Sequence, residues 1–212
     1  EGNFSENRSL AVLQKYASLI GLDKKTGIEI TESSPHVSDS LAVPSYIGQG
    51  TNAYTTSQLA RYATAIATSG TVYDLTLLGK LTDSRGNILK EYEPDVINTL
   101  DVDSSVWADI HDGMYRVVQT HKQFDGLGMD VSGKTGTAEV DGVYHPNHGM
   151  FVGYAPSTDP QYAIAVRIEN GYTSGNACLA AADIFKYIFE LTDEGSILTG
   201  VAASDTSDTS ND

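Results

Sequence analysis

The sequence predicts an α/β fold of the α+β type, an antiparallel sheet packed with helices. Two patterns carry this. Residues 131–191 read as strand, turn, strand, turn, strand, helix, which describes an antiparallel meander with a helix on one face. Before them, three segments place apolar residues at helical spacing. With 212 residues, 40% of them apolar, and twelve tyrosines, the chain can bury a core.

The first helix is read from Leu10, Leu13, Ala17 and Ile20, with Ser5 or Asn7 to cap it and Gly21 to end it. A turn runs to Ile28, and residues 31–47 look irregular, with His36 in a surface loop. Ile47-Gly48-Gln49-Gly50 is a tight turn carrying an amide that can both donate and accept. Thr55 and Gln58 have capping-box spacing for a second helix, whose buried face reads as Leu59, Tyr62, Ala63 and Ile66 before Ser69-Gly70 closes it.

From Thr71 the period changes. Val72–Leu81 and Ile88–Tyr92 flank the loop Asp83–Asn87 as a hairpin. Asp103-Ser104-Ser105 opens a third helix with Val106, Ile110, Met114 and Val117 as its apolar face and Trp107 and Val118 alongside. His111 and His121 have no partner at metal-ligand spacing and read as surface or helix-end residues. Strands are then expected at 131–140, 149–155 and 161–169, a two-residue turn at Asp141-Gly142, and a helix at 176–191. Alternation puts Phe151 and Gly153 on one face and Val152 and Tyr154 on the other. Residues 201–212 read as a disordered acidic Ser/Thr tail after a domain portion spanning 1–200.

A net charge of −15 and a pI near 4.5 argue against nucleic acid or an anionic membrane as partner. Cys178, the only cysteine, excludes an internal disulfide and reads as a small core residue. No apolar run reaches the length of a membrane span, and neither cofactor nor metal is expected. The chain opens on Glu1, which suggests a piece of something longer.

The chemistry concentrates in Val131-Ser132-Gly133-Lys134-Thr135-Gly136-Thr137-Ala138-Glu139. Lys134 is the one cation in a row of hydroxyls and glycines, with Asp130 and Glu139 as its nearest acids in sequence. Gly133 and Gly136 leave the backbone bare. Such a strand can pair edge-on with an extended peptide and offer Lys134 and two threonine hydroxyls to its carboxylate.

Five features in order resemble the C-terminal half of a class B penicillin-binding protein transpeptidase domain. They are Gly21-Leu22 with Thr26-Gly27-Ile28, the Gly48-Gln49-Gly50 turn before a Thr-rich helix start, and Gly113-Met114 with Val117-Val118. Ser132–Glu139 and Phe151-Val152-Gly153-Tyr154-Ala155-Pro156 complete the set. The resemblance, from about residue 10 to 190, implies the penicillin-binding, β-lactamase-like transpeptidase fold. It implies an extracytoplasmic, membrane-anchored enzyme that cross-links peptidoglycan stem peptides ending in D-Ala-D-Ala and is acylated by β-lactams.

The family acts through a Ser-x-x-Lys nucleophile motif, a Ser-x-Asn motif and then Lys-Thr-Gly. No serine here has a lysine three residues later. Ser-x-Asn occurs as Ser5-Glu6-Asn7, read as a helix cap, and as Ser174-Gly175-Asn176, out of order. The nucleophile is therefore expected before residue 1, in an N-terminal half of the same domain that is this chain's first partner. By resemblance, Lys134 and Thr137 are the catalytic residues, with Thr137 lending its backbone N–H to the oxyanion hole. Thr135, Gly136 and Gln49 bind substrate. A β-lactam-sensing receptor and a non-catalytic cell-wall scaffold are the competing classes.

Overall fold

The computed structural model describes residues 4–139 and 146–197. The turn expected at Asp141-Gly142 and the tail expected at 201–212 lie outside the described residues. The chain divides into two compact units, Glu1–Asp103 and Ser104–Asp212.

In the first unit, α1 (Glu6–Leu19) buries Leu10 and Ala17 and gives way to Gly21 in the left-handed region at φ +78. Ser5 holds the N-cap position without a side-chain bond. The stretch read as irregular contains a five-residue helix, α2 (Ala42–Tyr46), and His36 pairs with Ala53 in an isolated antiparallel bridge. α3 (Thr56–Ala67) begins with the capping box: Gln58 N–H donates to Thr55 Oγ1 at 3.2 Å, and Thr55 N–H to Gln58 Oε1 at 2.7 Å.

The buried face of α3 is turned from the one its apolar residues predict. Gln58, Arg61, Ala63, Ala65 and Ile66 are buried, whereas Leu59 and Tyr62 are half-buried. The cause is polar. The loop after α1 carries carbonyls that need donors, and Gln58 Nε2 reaches Lys24 O at 3.0 Å. The Arg61 guanidinium, with no exposed surface, donates to the carbonyls of Gly21, Lys24 and Lys25. Burial pulls its pKa down against the opposing charges of Asp74, Glu32 and Asp23. Asp74 lies 3.5 Å from Nη1.

The hairpin expected from Val72 to Tyr92 is divided. β1 (Thr71–Tyr73) pairs with β4 (Val96–Thr99), while β2 (Lys80–Thr82) pairs with β3 (Ile88–Glu91), both antiparallel. The segment between β1 and β2 bonds elsewhere. Leu75 N–H donates to Thr26 O at 2.8 Å, and the Glu29 carboxylate accepts from Thr76 Oγ1 at 2.6 Å and Leu77 N–H at 2.8 Å. A strand cannot continue where a neighbouring loop has taken its donors.

In the second unit, β5 (Ser132–Ala138), β6 (His148–Ala155) and β7 (Tyr162–Ile168) form an antiparallel sheet in the order β5-β6-β7. α5 (Ser174–Ile188) packs on one face. Its small residues Ala177, Cys178, Ala181 and Ala182 share a buried cluster with Phe151, Val131 and Phe185. Small residues let the helix come close to the sheet, and burying a ring such as Phe151 contributes roughly 1.5–3 kcal/mol. Cys178 is a core residue, as the sequence suggests.

α4 (Ser104–Gln119) buries Trp107, Met114 and Val118, leaving Val106 and Ile110 45% and 36% exposed. His111 lies on the same seam, at i+4 from Trp107, half-buried and in mid-helix instead of on the surface or at the helix end as it reads. Its ring lies 6.3 Å from Trp107 and edge-on to Tyr154 at 5.9 Å. Tyr154 is on the face opposite Phe151, so the sheet meets a helix on both sides and not on one.

Candidate functional site

Strand β5 is an outer strand of the sheet. It aligns Ser132 with Tyr154, Gly133 with Gly153, Lys134 with Val152, Thr135 with Phe151, Gly136 with Met150 and Thr137 with Gly149. Its other edge carries backbone groups that the sheet does not use. Lys134 is exposed. Its Nζ donates to Thr135 O at 2.9 Å, and among the described residues no carboxylate pairs with it. The cation is held beside the strand and remains open to an incoming anion.

The two glycines flanking Lys134 differ. A Cβ built on Gly133 would lie 2.3 Å from the Phe151 ring and 2.9 Å from Val152 O, so the fold itself demands glycine there. A Cβ on Gly136 would meet only Met150 Cβ, at an ordinary 3.5 Å. The fold has room for a side chain at 136, and what a bare backbone adds there is room for a ligand. Lys134 and Gly136 share the Tyr154 face by alternation, and Thr135 and Thr137 the Phe151 face. The cation and the two threonines thus approach the open edge from opposite faces, where the sequence suggested a common presentation.

The start of the strand is fastened. Ser132 Oγ and Ser157 Oγ are 2.9 Å apart, and Ser157 N–H donates to Asp130 O at 2.9 Å. Tyr154, fully buried beside Ser132, has its phenol pushed up by burial against a smaller pull from the Ser132 hydroxyl. The structure thus gathers Lys134, Thr135, Gly136 and Thr137 on one strand. Gln49 belongs to the first unit, half-buried, with its N–H on Pro44 O and its carbonyl accepting from Asn52 Nδ2. Sequence reading missed Phe151 and His111 as parts of the site's support. The spacing of His111 from Trp107 and Met114 was the available signal for the one, and the glycine two places after Phe151 for the other.

An outer strand with an exposed lysine that pairs with no described carboxylate, and with an open glycine, backed by a helix-covered antiparallel sheet, has the geometry to accept an extended chain along its edge. Comparison with known proteins places it. Residues 3–190 match the penicillin binding protein transpeptidase domain, and the chain belongs to that family. It is 34% identical over 170 residues to penicillin-binding protein 2B of Streptococcus pneumoniae, an alignment covering 69% of this chain and 24% of the relative. It is 31% identical over 159 residues to peptidoglycan D,D-transpeptidase MrdA of Acinetobacter baumannii, covering 66% of this chain and 23% of the relative. The chain therefore spans about a quarter of the length of these relatives.

Among solved structures, S. pneumoniae penicillin-binding protein 2B superposes with a TM-score of 0.73 at 24% identity, covering 89% of this chain and 34% of that one. Penicillin-binding protein A from M. tuberculosis, in a penicillin G acyl-enzyme complex, gives 0.66 at 26% identity, covering 87% and 42%. The fold is the penicillin-binding fold of such transpeptidase domains.

Proposed function

We propose that this chain is the substrate-edge portion of a serine-type peptidoglycan D,D-transpeptidase. The open edge of β5, with Lys134 uncommitted and Gly136 unfilled, supports the reading most directly. The donor stem peptide lies along this edge as an added strand, its terminal carboxylate toward Lys134 and Thr135. A serine from a part of the protein outside this chain attacks the carbonyl between the two D-alanines. The scissile C–N bond breaks, the leaving D-alanine amine takes up a proton, and an acyl-serine forms. An amine of a neighbouring stem peptide then displaces the serine, giving the cross-link and the free enzyme. Negative charge develops on the carbonyl oxygen in both steps, and the Thr137 N–H is assigned to it together with the N–H of the serine. Gln49 is assigned to the substrate. A β-lactam enters by the same route and stops at the acyl-serine. The reaction locates the protein at the extracytoplasmic face of the membrane, held there by a segment outside this chain.

The test is mass spectrometry of the full-length protein after reaction with labelled penicillin. One acyl adduct on a serine outside residues 1–212 is expected, slowed by a D-Ala-D-Ala peptide. The 212-residue chain alone should take up none. An adduct on a serine of this chain, or none on the full-length protein, would overturn the reading.

A further inference from the structure

We propose that Phe151 is a positioning residue for Lys134, its ring setting the height of β5 and with it the place of the ammonium. The inference rests on the acyl-transfer reading above. Phe151 has no exposed surface and lies in the middle of β6, directly opposite Thr135. Gly133 and Gly153 face each other two pairs further along, on the same face as the ring. A Cβ on Gly133 would come within 2.3 Å of Phe151 Cζ and 2.6 Å of Cε2, and a Cβ on Gly153 within 2.8 Å of Cε1 and Cζ. The tip of the ring therefore lies over the two facing glycines, where a side chain on either strand would stand.

It cannot yield. Phe124 stands behind it with ring centroids 5.2 Å apart, and the Ala177–Ala182 stretch of α5 closes the same cluster. Lys134 sits between Gly133, which rests on the ring, and Thr135, the cross-strand partner of Phe151. Its side chain leaves from the opposite face and makes only the bond to Thr135 O among the described residues. Among the described residues no other group holds the ammonium, so the height of its backbone decides where the charge stands. One ring in the core thereby aims a cation on the far side of the sheet.

A residue that merely stabilises lowers the number of folded molecules when trimmed, while those that remain react at the native rate. A positioning residue lowers the rate of each folded molecule. The experiment uses the full-length protein carrying Phe151→Leu, Gly133→Ala or both. Labelled penicillin gives the reactive fraction as the burst amplitude, and the acylation rate constant at saturation is read separately from the half-saturating concentration. Gly133→Ala, whose methyl pushes β5 off the ring, is expected to lower the saturated rate about ten- to a hundred-fold per reactive molecule. Phe151→Leu, which lets the strand sink, should cost roughly three- to ten-fold. The double variant should recover part of the loss, because the alanine methyl occupies space the ring vacates and keeps only its 2.9 Å approach to Val152 O.

Should Phe151→Leu fail to fold, Phe151→Met, close to leucine in volume but unbranched and adaptable, is read the same way. Wild-type rates with only reduced amplitudes overturn the positioning role, as does a double variant no faster than the singles combined. A wild-type protein that takes up no label fails at the acyl-transfer reading and brings this inference down with it.

Discussion

At the scale of single residues, Lys134 is defined by what it lacks: among the described residues no carboxylate neutralises it, and a single backbone carbonyl holds it. A charge-assisted contact to a substrate carboxylate is worth roughly 1.5–3 kcal/mol. If felt fully in the transition state, that is about ten- to a hundred-fold in rate. Lys134→Ala in the full-length protein should therefore slow second-order acylation by a chromogenic penicillin at least ~ten-fold, with an unchanged circular dichroism spectrum. Thr137→Ala should do less, since alanine keeps the N–H assigned to the oxyanion, and Thr137→Pro far more. Wild-type acylation by Lys134→Ala would show that β5 is not the substrate edge. Lys134 was readable because its neighbours in sequence are its neighbours in space. The role of Gly133 was not. Its meaning is the Phe151 ring, a contact made across the sheet by a residue distant in the chain, and a glycine in a motif looks the same whether a ligand or a phenyl ring needs the room.

At the scale of elements, Arg61 ties α3 to the loop that follows α1. Replacing it with methionine keeps a long stem but strands the carbonyls of Gly21 and Lys25 and leaves Lys24 O with Gln58 Nε2 alone. With a penalty of roughly 1–3 kcal/mol for a group left unsatisfied, and partial relaxation of the loop, Arg61→Met should cost about 3–5 kcal/mol. Urea unfolding measures this, and a loss below ~1 kcal/mol would mean that water reaches these carbonyls. The pattern of this helix explains a wider limit on sequence reading. Apolar spacing located α3 and its capping box, but the buried face was misjudged because a buried arginine and glutamine count as surface residues until their carbonyl partners are known. The hairpin failed for a related reason. Thr71–Leu81 has the composition of one strand, and only the distant carboxylate of Glu29 shows why it breaks. The sheet of β5, β6 and β7 was legible because each strand is bounded by local punctuation, the prolines after Ala155 among it.

At the scale of the whole molecule, the depressed carboxylates determine the response to acid. Burial pushes Glu32 up, but hydrogen bonds from Ser57 and Thr26 and the charge of Arg61 outweigh it, and the group is held below its ordinary 4.5. Glu29, held by Leu77 N–H and Thr76, is likewise lowered, and so is Asp83, chiefly by Asn87. A carboxylate with a lower value folded than unfolded adds stability above its unfolded value and loses it as pH falls through the folded one. The melting temperature should therefore decline below about pH 5. Glu32→Gln should start lower at neutral pH and decline less steeply in acid. A calorimetric series from neutral to acid pH measures both slopes, and parallel slopes would remove Glu32 from the account.

The unused edge of β5 has a consequence for handling the protein as well as for its chemistry. An outer strand edge invites the same strand of another molecule, and a charged side chain in the middle of the strand is a common guard against it. Lys134 stands at that position, so like charges would meet whenever two copies aligned there. Removing it discharges the guard. Lys134→Ala should scatter light increasingly with concentration, while Lys134→Arg should stay dispersed. The lysine proposed to meet a substrate carboxylate would then also be what keeps neighbouring molecules from stacking into a shared sheet.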